Sequence, residues 1–184
     1  MKHSVLVLML ICSLAGSGLA QPADPQMVVI LVGTAVGGLR MVPDYTGDGM
    51  PDPAFCWDLD LVDAKTSRVI GRGTDCFSPQ NPEGTKGFGT TYFHFPQGTL
   101  VTRGKNTGQP VTWDPSTNPD VDPDVTVITG AFPAPGTNNI LSGTGRFAGA
   151  RGRVRLSGAV RIHPDGATVT FSCIFTIDLD KPHQ

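Results

Sequence analysis

The sequence predicts a single antiparallel all-β domain, a small closed barrel. Three observations predict it. Apolar and polar residues alternate with a period of two over long stretches, the mark of half-buried strands. The 184 residues include 23 Gly and 16 Pro, which punctuate the chain into short extended pieces. Glu83 is the only glutamate among 16 acidic residues, so the chain is poor in a good helix former and rich in the turn-former Asp. No stretch of useful length carries a helical period.

The first twenty residues stand apart from the fold. Lys2 gives a positive start, Val5 to Ile11 is apolar, and Gly18-Leu19-Ala20 supplies small residues ahead of Gln21. Residues 1–20 are therefore expected to be a signal peptide and 21–184 a single β-barrel domain, secreted or periplasmic. The apolar stretch is shorter than the roughly 20 residues that span a bilayer, and no later one reaches that length. Without the leader the chain carries 13 Lys and Arg against 16 acids. That balance speaks against a nucleic acid or an anionic membrane as partner.

The C-terminal hairpin is the most legible element. Val154, Leu156, Gly158, Val160 and Ile162 alternate with arginines and small polar residues. His163-Pro164-Asp165-Gly166 is a turn signal. Val169, Phe171, Cys173, Phe175 and Ile177 then alternate with Thr168, Thr170 and Ser172. Pairing Ile162 with Ala167 puts Val160 opposite Val169, Gly158 opposite Phe171, Leu156 opposite Cys173 and Val154 opposite Phe175. A slip by one residue would mix the faces.

A second hairpin spans Ala54 to Ser78. Facing Ala64 with Arg68 across Lys65-Thr66-Ser67 gives Val62 opposite Ile70, Asp60 opposite Arg72, Asp58 opposite Thr74 and Cys56 opposite Cys76. An apolar pair, an ion pair and a cysteine pair thus come from one register. A Cys56–Cys76 disulfide is expected in an oxidising compartment, with Cys76–Cys173 as its rival. Asp58 and Asp60 share the Cys56 face, away from Trp57. Further strands are expected at Met27–Thr34, Phe88–Phe95, Thr99–Arg103, Val125–Thr129 and Asn139–Phe147, about eight or nine in all. Thr107 to Asp124, with four prolines, reads as a surface loop.

Asp44, Thr46, Asp48 and Asp52, with the Met50 carbonyl, fall at relative positions 1, 3, 5, 9 and 7 of an Asp/Gly loop, and Gly49 takes the sharp-turn position. Oxygen donors at every second residue can wrap calcium. Thr46 replaces the usual Asp or Asn, and Phe55 stands where a bidentate Glu would complete an EF-hand loop. The competing reading is a turn bonded to its own backbone.

Gly143-Thr144-Gly145-Arg146-Phe147-Ala148 has glycines spaced as in a dinucleotide fingerprint, but that motif needs a strand before it and a helix after it. Here Gly152 leads into an alternating strand. Glycines of this kind mark bends and bulges at barrel corners. The segment Ser142 to Val154 resembles the Gly-Thr-Gly-x-Phe-x-x-Ala-x-Gly stretch of allene oxide cyclases and dirigent proteins. The whole chain looks most like bacterial secreted proteins with an allene-oxide-cyclase-like barrel. The resemblance implies an eight-stranded antiparallel barrel whose cavity holds an apolar molecule. In the plant families, the cyclases steer ring closure of a fatty-acid epoxide, and dirigent proteins orient phenoxy radicals. The shared stretch carries no catalytic residue to transfer.

Three functions compete. The first is a secreted, non-catalytic barrel binding a small apolar molecule, with Trp57, Phe93, Phe95, Phe171, Cys173 and Phe175 pointing inward either to line a cavity or to fill it. The second is a cyclase or isomerase acting by cavity shape. The third is a calcium-stabilised extracellular structural protein. A cavity holding one buried acid with a displaced pKa would favour the enzyme. Cys173 has no histidine at a spacing that implies a nucleophile–base pair, so it reads as a packed hydrophobe.

Overall fold

A computed structural model describes residues 26–110, 125–130 and 136–180. The expected signal peptide and residues 111–124 of the expected surface loop lie outside them. Ten strands follow in chain order, all antiparallel to their neighbours. They are β1 (Gln26–Val36), β2 (Gly38–Val42), β3 (Asp52–Asp63), β4 (Val69–Pro79), β5 (Lys86–Phe95), β6 (Gly98–Pro110), β7 (Val125–Gly130), β8 (Ile140–Gly143), β9 (Gly152–Ile162) and β10 (Thr168–Leu179). Eight of them form the ring β1-β10-β9-β7-β6-β5-β4-β3, which closes where Val29–Val32 of β1 pairs with Asp63–Asp60 of β3. The expected eight-stranded barrel is therefore present, with β2 continuing beside β3 and β8 beside β6.

A bulge separates β1 from β2. Val32 faces Asp60 and Gly38 faces Cys56, so Gly33 to Gly37 stand against only Trp57, Asp58 and Leu59. The surplus bends the chain away from the ring, as bulges do at barrel rims. Gly37 sits where a Cβ would lie 2.3 Å from both the Phe55 ring and the Trp57 indole nitrogen. Its N–H donates to Ala167 O at 2.9 Å, which ties the bend to the β9–β10 turn.

The period-two pattern sorts the faces. Leu31, Leu59, Leu61, Phe93, Phe175 and Ile177 are buried together inside. Outside, β9 and β10 present Arg153, Arg155, Thr170 and Asp178, and Arg155 pairs with Asp178 at 2.8 Å. A lipid-facing barrel shows the reverse, apolar side chains outward. Among the described residues no helix is long and apolar enough to cross a membrane.

The β3–β4 register matches expectation at Asp60–Arg72, Asp58–Thr74 and Cys56–Cys76. Val62 faces Val69 rather than Ile70, because the ladder shifts after Leu61 and Ser67 takes φ 56° in the turn. The β9–β10 hairpin is corrected by two residues. Ile162 faces Val169, Val160 faces Phe171, Gly158 faces Cys173 and Leu156 faces Phe175. Asp165 widens the turn by accepting from the Ala167 and Thr168 amides at 3.0 and 2.8 Å. An even slip keeps every side chain on its expected face.

Three further corrections concern strand limits. Thr107 to Pro110 belong to β6, where they pair with β7, rather than to a loop. The expected Asn139–Phe147 strand is β8 followed by a one-turn 3-10 helix, Gly145–Phe147. Gly145 has φ 57° there, and a Cβ on it would sit 2.1 Å from Gln97 O. This turn inserts the buried Phe147 beside Phe95, with ring centroids 5.1 Å apart, and plugs one end of the barrel. Finally, β2 was not expected at all.

Candidate small-molecule site

The site follows from the β3–β4 register. Cys56 and Cys76 form the expected disulfide on the outer face, with Cα atoms 4.0 Å apart, which rules out the Cys76–Cys173 alternative. With Cys76 outward, its neighbour Asp75 points inward, opposite Trp57 on β3 and Thr91 on β5. Asp75 is 4% exposed. The Thr91 hydroxyl donates to Asp75 Oδ1 at 2.6 Å, the only hydrogen bond to this carboxyl among the described residues. Burial disfavours the charged form and outweighs the Thr91 bond, so the carboxyl pKa is pushed up to about 7.

Asp75 borders a cavity of about 100 Å³. Gly108, Thr126, Ile162 and Val169 also border it. They come from the end of β6, the start of β7, the end of β9 and the start of β10, so the cavity lies at the barrel end away from Phe147. Ile128, Val160, Val169 and Phe171 make an apolar wall. Trp57 and Phe77 flank Asp75 on the other side. The Trp57 indole N–H donates to Ala167 O at 2.9 Å, which fixes the ring's edge. Asn106 is the second buried polar residue on the cavity among the described residues, 7% exposed. Among the described residues no Lys, Arg or His lines the cavity.

Of the six inward residues expected from sequence, Trp57 and Phe171 line this cavity. Phe93, Cys173 and Phe175 are inward but packed in the core, where Phe93 and Phe175 meet edge to face at 5.1 Å. Phe95 packs at the plugged end. The Cys173 thiol is pushed up by burial and further by the nearby Asp75 charge, the opposite of what a thiolate nucleophile requires.

The 44–52 loop lies apart from the cavity. Asp44 accepts from the Gly47 and Gly49 amides at 2.6 and 2.7 Å, and Asp48 accepts from the Met50 amide at 2.8 Å. Asp52 accepts from the Thr46 amide and hydroxyl, each at 3.1 Å. The backbone amides hold Asp44 below the usual carboxylate range. Among the described residues no three His, Cys, Asp or Glu side chains are grouped to hold a metal ion. The Arg103 guanidinium anchors the loop by donating to Asp44 O at 2.6 Å and to Pro43 O.

Asp75 and Asn106 were not singled out from sequence. The signal for Asp75 was present, because the register that pairs Cys56 with Cys76 also turns Asp75 inward beside Trp57. Asn106 fell between the expected end of a strand at Arg103 and an expected loop.

No family model and no curated protein matches the chain. Among solved structures it is similar to a pyocyanin demethylase, at 12% identity over 84% of this chain and 99% of that one, with a TM-score of 0.38. It is also similar to a nonspecific heme-binding cyclase that catalyses a 4 + 2 cycloaddition during neoabyssomicin biosynthesis. That likeness has 16% identity and a TM-score of 0.29, and covers 80% of this chain and 64% of the cyclase.

Proposed function

We propose that this protein takes a small, mostly apolar molecule into the cavity beside Asp75 and that Asp75 moves a proton on it, the chemistry of an isomerase or cyclase. One observation carries the proposal: among the described residues one buried carboxyl, titrating at about 7, faces a largely apolar cavity. A general acid or base works best when its pKa lies near the working pH, and burial is how a carboxyl reaches that range. As a carboxylate, Asp75 takes a proton from one atom of the bound molecule. As the acid it returns that proton to another atom. The product is an isomer, and the protein ends unchanged. Trp57 and Phe171 supply aromatic walls that orient the molecule.

The resemblance of residues 142–154 to allene oxide cyclases and dirigent proteins supports the same class of cargo. The disulfide supports an oxidising compartment, and with residues 1–20 read as a signal peptide the protein works outside the cytoplasm.

The test starts from protein purified from its own host, with native mass spectrometry used to find the copurified molecule. That molecule is incubated with protein in D₂O and followed by NMR. Deuterium incorporation or isomer formation that disappears in Asp75→Asn, with binding retained, supports the proposal. Binding without exchange at any pH from 5 to 9 overturns the catalytic part and leaves a carrier.

A further inference from the structure

A buried carboxylate is costly to hold out of water unless a positive group stands beside it. On the outer face this chain provides such groups. Arg40 pairs with Asp58, Arg72 with Asp60 and Arg155 with Asp178. Inside, Asp75 has the Thr91 hydroxyl, and no Lys, Arg or His borders its cavity among the described residues. With no counter-charge at hand, burial lifts this carboxyl to about 7. The Cys173 thiol also lies near Asp75, but burial pushes it up, so it stays neutral and offers no positive charge.

Three aromatic side chains, Trp57 on β3, Phe77 on β4 and Phe171 on β10, share the wall with Asp75. Aromatic rings carry negative charge density on their faces and attract a cation, more strongly when water is excluded. An anionic guest would be repelled by Asp75 and left without a counterion. A neutral guest would leave the charge of Asp75 uncompensated, whereas a cation completes the pair. The volume of about 100 Å³ is somewhat below the roughly 150 Å³ of a hydrocarbon-lined cavity that accepts benzene, so it holds about one ring.

We infer that this cavity selects a small organic cation, an apolar body of about one ring carrying one positive nitrogen, with Asp75 as its counterion and the aromatic wall around it. The inference names the substrate class of the site proposed above and rests on that cavity being the binding site.

The test titrates the full-length mature protein at pH 8 with three probes: N-methylpyridinium, its neutral isostere toluene, and benzoate. Binding is followed by ¹⁵N-correlated NMR, with the Trp57 indole and Asp75 backbone signals marking the cavity. N-methylpyridinium should bind about ten-fold more tightly than toluene, the scale of a close charge pair, and benzoate should not bind. The cation gains from the carboxylate and not from the acid. Lowering the pH from 8 to 5, through about 7, should therefore weaken N-methylpyridinium about ten-fold and not weaken toluene. Asp75→Asn should bring the two probes within a few-fold at pH 8, and the pH comparison in wild type decides the matter if that variant does not fold. Equal affinity for N-methylpyridinium and toluene, benzoate binding as tightly as the cation, or a preference that persists at pH 5 or in folded Asp75→Asn would overturn the inference while leaving the cavity as the binding site. If none of the three enters the cavity, the binding-site reading fails and takes this inference with it.

Discussion

Replacing Asp75 with Asn should make the protein more stable at neutral pH, by an amount the burial sets. The folded carboxyl titrates at about 7 and its ordinary value is 3.8. Between those values the folded state holds a proton that the unfolded chain has lost, so stability falls as pH rises through this window and then levels off. About three pH units at 1.36 kcal/mol each come to at most about 4 kcal/mol, a large share of a typical domain's stability. The amide of Asn is neutral throughout and still accepts from Thr91, so it escapes this cost. Asp58 works in the opposite sense. The Arg40 and Thr74 hydrogen bonds hold it at about 2, so its contribution is present above pH 4 and lost on further acidification. The difference between wild type and variant isolates Asp75 from such groups. In urea titrations at pH 4, 6 and 8, the two midpoints should coincide at pH 4. At pH 8 they should separate by about 2 M, taking a slope of about 2 kcal/mol/M. Midpoints that move in parallel across the range would refute the buried-carboxyl account.

Other perturbations test other parts of the fold. Opening the disulfide by Cys56→Ala with Cys76→Ala frees a 20-residue separation and should cost about 3 kcal/mol, measured by urea titration with a steeper slope, because the unlinked chain exposes more surface when unfolded. Gly73→Ala puts a Cβ 2.2 Å from Leu31 Cδ2 and should cost about 1–3 kcal/mol, whereas Gly38→Ala meets nothing within 4 Å and should be near neutral by thermal melting. Cys173 should resist Ellman's reagent in the native protein and react once the mature chain is unfolded in urea, since its thiol is buried and its ionisation suppressed.

How much of this was legible in the sequence depended on whether a side chain's partner was local. The β3–β4 ladder could be read because Asp60–Arg72 and Cys56–Cys76 are recognisable pairs whose separations agree. The β9–β10 ladder kept its faces and lost its register, because the turn is widened by Asp165, while the Ala167 carbonyl is claimed by Gly37 and Trp57 from distant strands. No local signal announces that. β2 escaped because it is five residues long and its alternating apolar residues, Leu39 and Met41, face solvent, so the strand shows no core-facing stripe. The inward face of the barrel was legible, yet which of its aromatics line a cavity and which fill the core was not. Phe171 and Phe175 share one strand face, and only the packing of β6, β7 and β9 around them leaves space beside the first. Asp75 looked like one aspartate among many until its outward neighbour was paired.

The seam between β1 and β10 sets the order in which the molecule can be finished. Gln26 donates to Asp178 across 152 positions, and the first strand lies against the last along its full length. A nascent chain therefore carries Val29 and Leu31 with one flank unmet until the final hairpin has been synthesised. Loss of that hairpin would leave an open sheet with two sticky margins, not a smaller cylinder. Such distant pairing also makes assembly slow relative to chains built from nearby contacts, so the unfinished form is the one that most needs protection from its own kind.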